Sequence, residues 1–564
     1  MLKKWWMESI GYQIYPKSFY DNNSDGIGDL QGIIKKLPYL KALGIDLIWI
    51  CPVYDSPMND NGYDVKDFYQ INPIFGNLND MKSLIKIAKS LDIKIIMDYV
   101  LNHTSDEHPW FIESRKSKDN PYRDYYIWAD GKFKDGEKIE PTNWGSFFGG
   151  SCWQYDQMSN SYFMKIFSNK MPDLNWKNPA VRNQIIKVGQ WWLDLGIDGF
   201  RIDAVSHLDR APFIDIQNQK DTYPLDWNKF SNLPKVHTYL KEMNDKLFSP
   251  NDCLTIGEVG GQASIDSAVS YAGFDSNQLS MVFNFDHDWC NNLFEIEDIK
   301  DLKTNVLDLR NVLIKWQEGF KDKGWLPLNW LNHDQPRLMS HYGNLKYFKQ
   351  SGKMLATLMY MLRGTPFIYQ GEEIGMTNYP FTDVKQFNDI SSINYYKYLT
   401  EEIHLDPKIA INRTALKSRD NARTPMQWND SKNAGFSNVK PYMDVNPNYK
   451  DINVFDQMQD TDSIWYHYKK LFKLRKDSKY HEVINYGDIK FINTDCANLI
   501  IYERFDLNHR LLIINSFSNK EVIYELSSYI IKLIVLANDE VRLLNQKIYM
   551  NPYGSVILEV EENK

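Results

Sequence analysis

Short apolar, β-branched runs recur along the first two-thirds of the chain: GYQIYP (11–16), IDLIWICPV (45–53), IKIIMDYVLNH (93–103), GFRIDAV (199–205), LTIGEV (254–259), SMVFNF (280–285), LPLNWLNHD (326–334) and PFIYQGEEIG (366–375). Between most of them lie stretches such as LQGIIKKLPYLKALG and MKSLIKIAKSLD, whose apolar residues fall three and four apart, the spacing of a half-buried helix. Strands alternating with helices imply parallel pairing, and eight such units predict an α/β fold, the (β/α)8 TIM barrel. The runs end in polar or charged residues, at the end where such a barrel keeps its active site.

Two intervals break this rhythm. Residues 105–174 are rich in aromatic, Gly, Pro and charged residues, which predicts a small domain inserted after the third strand. From 479 onward, DIKFINT, NLIIYERF, RLLIINSF, IKLIVLA and SVILEV are separated by Asn, Asp and Gly turns, the pattern of a C-terminal antiparallel β-sandwich. The expected organisation is barrel at 1–104 and 175–478, inserted domain at 105–174 and sandwich at 479–564.

With 564 residues, 43% of them hydrophobic, the chain can bury a large core. A net charge of −8 without a long basic run argues against nucleic acid or an anionic membrane as partner. MLKKWWMESIGYQIYP lacks the apolar centre of a signal peptide, and no run reaches the roughly 18 apolar residues of a membrane helix, so a cytoplasmic location is expected. The five cysteines are scattered and without CxxC spacing, and they read as reduced thiols. The 17 Trp and 35 Tyr offer flat rings that suit sugar faces as well as protein cores. The acidic stretch FEIEDIKD (294–301) reads as a solvated face.

DNNSDGIGDL (21–30) sets oxygen-bearing side chains at Asp21, Asn23, Asp25 and Asp29, with Gly26 at a tight turn. Alternate residues of a loop wrapped round an ion face inward, so this spacing suits Ca2+ or Mg2+. A calcium hand needs Glu at loop position twelve, and Gly32 stands there instead. The other reading is an Asx-rich turn that binds nothing.

Three strands end with an acid: Asp203 in GFRIDAV, Glu258 in TIGEVGG and Asp334 in NHDQPR. A carboxylate pair across a glycosidic bond is the minimal equipment for glycoside hydrolysis, one as nucleophile or base and one as proton donor. Arg201, two residues before Asp203, shares its strand face and can hold that acid ionised. A lone acid of this kind is more often a solvated loop residue or a helix cap. Three at one barrel mouth point to chemistry.

The blocks DYVLNH (98–103), GFRIDAVSH (199–207), TIGEV (255–259) and NHD (332–334), in that order, resemble glycoside hydrolase family 13, the α-amylase superfamily. YPKSFYDNNSDGIGDLQGI, DNGYDV, NHTSDEHPWF, MPDLNW, QGEEIGM and SRDNARTPMQW extend the resemblance over nearly the whole chain, to the oligo-1,6-glucosidase and α-glucosidase branch. The resemblance implies Asp203 as nucleophile, Glu258 as general acid/base and Asp334 as the acid that grips hydroxyls of a distorted sugar, with retention of configuration. It implies that Asp60, Tyr63, His103, Phe148, Phe167, Arg201, His333 and Arg419 bind the substrate's glucose, with Arg423 nearer the second sugar. Pairing of Asp60 with Arg419 would close an exo-acting pocket. It also implies a structural Ca2+ or Mg2+ at Asp21, Asn23, Asp25, Ile27 (by its carbonyl) and Asp29, remote from the chemistry, and no organic cofactor. The expected partner is a small oligosaccharide, and the expected state a monomer or weak oligomer.

Several positions depart from that branch. Ala204 follows the nucleophile where strict α-1,6 enzymes usually have Val and α-1,4 enzymes Thr, which leaves room beside the second sugar. Met171 replaces a common Gln, Ser391 a common Glu, GEVGG the commoner GEANG, and His207 resembles the true amylases. The rival activities on this scaffold are trehalose-6-phosphate hydrolase, trehalose synthase and sucrose isomerase; the RLDRD loop of many isomerases is absent. Non-catalytic barrels that serve membrane transporters carry a membrane helix and a degraded acid set, neither of which is seen here.

Overall fold

Each of the eight apolar runs forms a strand in the computed structural model: β1 (Gly11–Ile14), β2 (Leu47–Ile50), β3 (Lys94–Val100), β4 (Gly199–Asp203), β5 (Leu254–Glu258), β6 (Met281–Phe283), β7 (Pro327–Leu328) and β8 (Thr365–Tyr369). They form one sheet in the order β6-β5-β4-β3-β2-β1-β8-β7, the strand sequence of a (β/α)8 barrel. Pairing is parallel in register, with Arg201 of β4 opposite Asp98 of β3 and Ile256 of β5. Most strand residues are buried, as expected for a parallel sheet covered on both faces. Each fully buried Leu, Ile or Val contributes roughly 1.5–3 kcal/mol.

The structure describes residues 3–217, 220–259, 263–293, 295–296 and 301–563. Gly260 and Gly261 of GEVGG and most of FEIEDIKD lie outside the described residues.

The intervening helices start and stop on local chemistry. In α1 (Leu30–Leu43) the Asp29 side chain accepts from the Gly32 amide, and Gly44 ends the helix at φ 108°. In α2 (Pro179–Leu195) Asn178 caps the first turn, Pro179 opens it and Gly196 closes it at φ 114°.

The chain forms two compact units. One comprises Met1–Ile48, Ser90–Ile93 and Phe285–Lys564; the other comprises Trp49–Lys89 and Lys94–Asn284. The second unit includes the inserted segment, whose strands Trp128–Ala129, Ser161–Met164 and Trp153–Asp156 make a small antiparallel sheet. Trp144, Cys152, Trp153, Met164 and Phe230 form the core beside it.

The first unit ends in two antiparallel sheets, one of five strands and one of three. Leu499, Ile514, Val522, Ile548 and Leu558 meet in a shared core, which makes the pair a sandwich. The three-stranded sheet (Val522–Glu525, Val541–Leu544, Lys547–Met550) was not among the predicted strands. Its outward Ile523, Leu543 and Leu544 are exposed, so the polar-out alternation that marks a half-buried strand is missing there. All five cysteines are free thiols.

Candidate active site

In the second unit, three adjacent strand ends bring Asp98, Arg201, Asp203 and Glu258 together. The two-residue period of β4 puts Arg201 and Asp203 on one face, and the registers of β3 and β5 supply the other acids. Arg201 Nη1 donates to Asp98 Oδ1 (2.5 Å) and to Asp203 Oδ1 (2.7 Å), while Nη2 donates to Glu258 Oε2. Side-chain exposure rises from 0% at Asp98 and 1% at Arg201 to 13% at Asp203 and 24% at Glu258. Asp98 is therefore the buried anchor, and the other two acids face outward.

Burial disfavours the Arg201 charge, but the surrounding acids outweigh it and hold the guanidinium well above its usual pKa. Burial pushes Asp98 up to about 6 against the pull of Arg201. One guanidinium thus joins three carboxylates from three adjacent strands. Ala204, next to the nucleophile candidate, sits in the left-handed region at φ 46°, ψ 35°, a strained conformation of the kind found beside reacting groups.

Around these acids lie the other expected residues of this unit. His103 Nε2 is buried without a hydrogen-bond partner, and burial lowers its pKa to about 3, so the ring is neutral. Tyr63 donates to Asp98 Oδ2 at 3.4 Å, and Trp49 Nε1 to the same oxygen at 2.8 Å. The Phe167 ring lies 5.4 Å from His103 and 5.6 Å from Phe148. Asp60 is buried, on a loop whose amides bind Asp64. His207 is buried too, with Nδ1 2.9 Å from Ser231 Oγ.

The first unit holds the remaining expected residues as a second cluster. Arg423 Nη2 donates to Asp334 Oδ1 at 2.6 Å and Arg419 Nη1 to the same oxygen at 3.3 Å. His333 Nε2 stands 3.3 Å from Asp334 Oδ2, and its Nδ1 lies 2.9 Å from Gln13 Nε2. Arg419 Nε also donates to Asp389 Oδ1 at 2.9 Å. Burial would raise Asp389, but Arg419 and Arg423 outweigh it and hold this carboxyl below its usual range. Two arginines thus clamp two acids in each other's reach.

The family model "Alpha amylase, catalytic domain" matches residues 13–487. The chain belongs to the alpha-amylase family. It is a glycoside hydrolase, 46% identical over 549 residues to an oligo-1,6-glucosidase of Parageobacillus thermoglucosidasius, covering 96% of each chain. An oligo-1,6-glucosidase of Bacillus cereus is 44% identical, with 100% of both chains covered. The solved trehalose-6-phosphate hydrolase of Bacillus licheniformis superposes with a TM-score of 0.90 at 40% identity, covering 99% of this chain and 100% of that one. The solved isomaltulose synthase of Klebsiella sp. LX3 gives 0.92 at 37% identity, with 100% of both covered.

Two site residues of this alpha-amylase-family chain escaped the sequence reading. Asp98 had a usable signal, since a carboxylate inside the apolar run IKIIMDYV must find a charged partner when buried. Asp389 had none, because its side chain also caps the helix Ile390–Lys397 and looks like an ordinary cap.

The 21–29 loop lies in the first unit. Asp21 accepts from the amides of Ser24 (2.7 Å) and Gly26 (2.8 Å), and Asp25 accepts from that of Ile27 (2.8 Å). Asp29 accepts from Asn22 (2.9 Å) and Gly32 (2.7 Å). Gly26 has φ 92°, and a Cβ there would meet the Lys440 carbonyl oxygen at 2.5 Å, so only glycine fits the turn. Burial pushes Asp29 up, and the nearby Asp21 charge adds to it. Carboxylate, carboxamide and carbonyl oxygens are the donors a hard divalent cation takes. Among the described residues no three His, Cys, Asp or Glu side chains form a metal-holding group.

Proposed function

We propose that this enzyme is a retaining, exo-acting α-glucosidase that cuts terminal α-1,6 bonds, and also α-1,4 bonds, of short oligosaccharides such as isomaltose. The observation that carries it is the single Arg201 fork binding both Asp203 and Glu258, the acid pair that retaining hydrolysis needs. Glu258, the more exposed acid, donates a proton to the leaving oxygen while ionised Asp203 attacks the anomeric carbon, forming a glucosyl ester. Glu258 then takes a proton from water, which attacks the same carbon and releases Asp203. Arg201 favours the ionised form of Asp203. The neutral His103 donates its unpaired N–H to a sugar hydroxyl, and Asp334 accepts from hydroxyls of the distorted ring.

Ala204, smaller than Val or Thr, supports acceptance of more than one linkage. The 21–29 loop is proposed to gather Asp21, Asn23, Asp25, Asp29 and the Ile27 carbonyl round a structural Ca2+ or Mg2+, a grouping its acids do not make while they accept from the loop's own amides. No described helix is long and apolar enough to cross a membrane, and we place the enzyme in the cytoplasm as a monomer or weak oligomer. The test is glucose release from isomaltose, maltose and trehalose 6-phosphate side by side. Turnover of both isomaltose and maltose supports the proposal, and isomaltose turnover alone would restrict it to α-1,6 bonds; turnover of the phosphorylated sugar alone would reassign the enzyme to the activity named for its Bacillus subtilis relative, 40% identical over 563 residues.

A further inference from the structure

Of the 17 tryptophans only Trp227 and Trp289 are exposed, and Trp227, 41% exposed, stands in the second unit with Asp203 and Glu258. Local chemistry holds it there. Asp226 caps the short turn Trp227–Lys229 by accepting from the Asn228 amide (3.0 Å), and Phe230 behind it packs into the core with its ring 5.4 Å from that of Trp144. The segment is then pinned on both sides. The Gly145 amide donates to the Pro224 carbonyl (2.8 Å) and the Asn232 amide to the Ser206 carbonyl (2.9 Å), while Ser231 Oγ lies 2.9 Å from His207 Nδ1. Ser206 and His207 belong to the turn Val205–His207, which begins two residues after Asp203, so the segment bearing Trp227 is fastened beside the proposed nucleophile.

A row of rings joins the indole to the glucose pocket. His103 lies 5.4 Å from Phe167, Phe167 5.4 Å from Phe147, and Phe147 4.6 Å from Trp227, with His207 5.9 Å from the same indole. His103 is buried, Phe147 and Phe167 half-buried and Trp227 exposed, so the row opens toward water as it leaves the pocket. A single exposed apolar side chain needs no explanation. An indole at the open end of such a row is different, because its flat face and N–H suit the C–H face and hydroxyls of a sugar. An exo-acting pocket is closed beyond the terminal glucose, so a ring on its rim meets only the leaving group. A pyranose is about as large as a phenyl ring, and two rings stand between imidazole and indole, which sets the indole against the third sugar rather than the second.

We propose that Trp227 is a specificity-determining residue whose open indole face stacks on the third glucose of the substrate, favouring isomaltotriose over isomaltose. The identity of the sugars rests on the proposed function, so the test reads binding and not turnover. Calorimetry gives the Kd of each sugar for Asp203→Asn protein, alone and combined with Trp227→Ala or Trp227→Phe. The parent should bind isomaltotriose about tenfold more tightly than isomaltose, the worth of one buried ring face. Trp227→Ala should erase that advantage with isomaltose binding held within about twofold, and Trp227→Phe, which keeps a smaller ring on Phe147, should cut it to about threefold. Equal binding of the two sugars by the parent, an advantage left whole by either variant, or equal weakening of both sugars overturns the proposal. Isomaltose turnover by the wild-type enzyme is scored separately. Its absence beside Trp227-dependent binding counts against the glucosidase reading alone, and its presence without that binding difference counts against the Trp227 platform alone.

Discussion

Arg201 and Asp203, two residues apart on β4, are joined by a 2.7 Å hydrogen bond, and the same guanidinium reaches Asp98 and Glu258. A strand's two-residue period makes the first contact unavoidable, and only a planar fork with several donors makes all three. Arg201→Lys keeps a positive charge, but its single ammonium lacks the planar spread of donors that reaches all three acids. It should fold, by circular dichroism, yet lose about 10²–10³-fold in kcat/KM on an aryl α-glucoside. A loss of no more than about twofold would show that the fork does not organise the acids.

His103 offers a different readout. His103→Phe removes the unpaired N–H while keeping a ring beside Phe167, and kcat/KM should fall about ten- to a hundredfold. Because burial holds the imidazole pKa at about 3, the ring is neutral across the working range and the pH–rate profile should keep its shape. An acidic limb between pH 5 and 7 that vanishes in this variant would contradict the assignment.

Stability has its own pH signature. Glu372 is buried and hydrogen-bonded by Tyr468 at 2.8 Å and by Tyr360, and burial raises its pKa to about 8 against the pull of those bonds. A carboxyl whose folded pKa lies above its unfolded value favours folding most at low pH, and that contribution is lost as pH rises from about 4.5 toward 8. Glu372→Gln keeps an oxygen for both tyrosines without the ionisation. Its unfolding free energy relative to wild type should climb between pH 5 and pH 8.5, by an amount on the order of a few kcal/mol. A constant difference across that range would contradict the buried-carboxyl account.

The cation proposal is tested by thermal shift. Ca2+ or Mg2+ at about 100 times its Kd should stabilise the protein by about 2.7 kcal/mol over the chelated state. Asp25→Asn, at an exposed loop position, should shrink that shift with little change in the chelated protein. No cation dependence would leave the loop as an Asx turn held by its amides.

How much of this was legible depends on what each residue is asked to do. The eight barrel strands are continuous apolar runs because both faces are covered, and such runs stand out in the sequence. Even so, β7 shrinks to Pro327–Leu328 where a nine-residue run was read, since the polar tail NWLNHD belongs to the loop. Arg201 with Asp203 was readable from strand period alone. The contact with Asp98 was not, because strand register is a long-range property that no single segment encodes. The clamp of Asp334 by Arg423 joins residues 89 apart in sequence and likewise has no local signature.

The central claim is that Asp203 attacks and Glu258 assists, so that an α-linkage yields α-glucose. The most direct measurement is proton NMR of the glucose first released from an aryl α-glucoside, whose single sugar is the glucosyl unit transferred, with Asp203→Asn as control. The account predicts α-glucose appearing before mutarotation, and no release by the variant despite normal folding. β-Glucose as first product, or hydrolysis by Asp203→Asn at the wild-type rate, would contradict it.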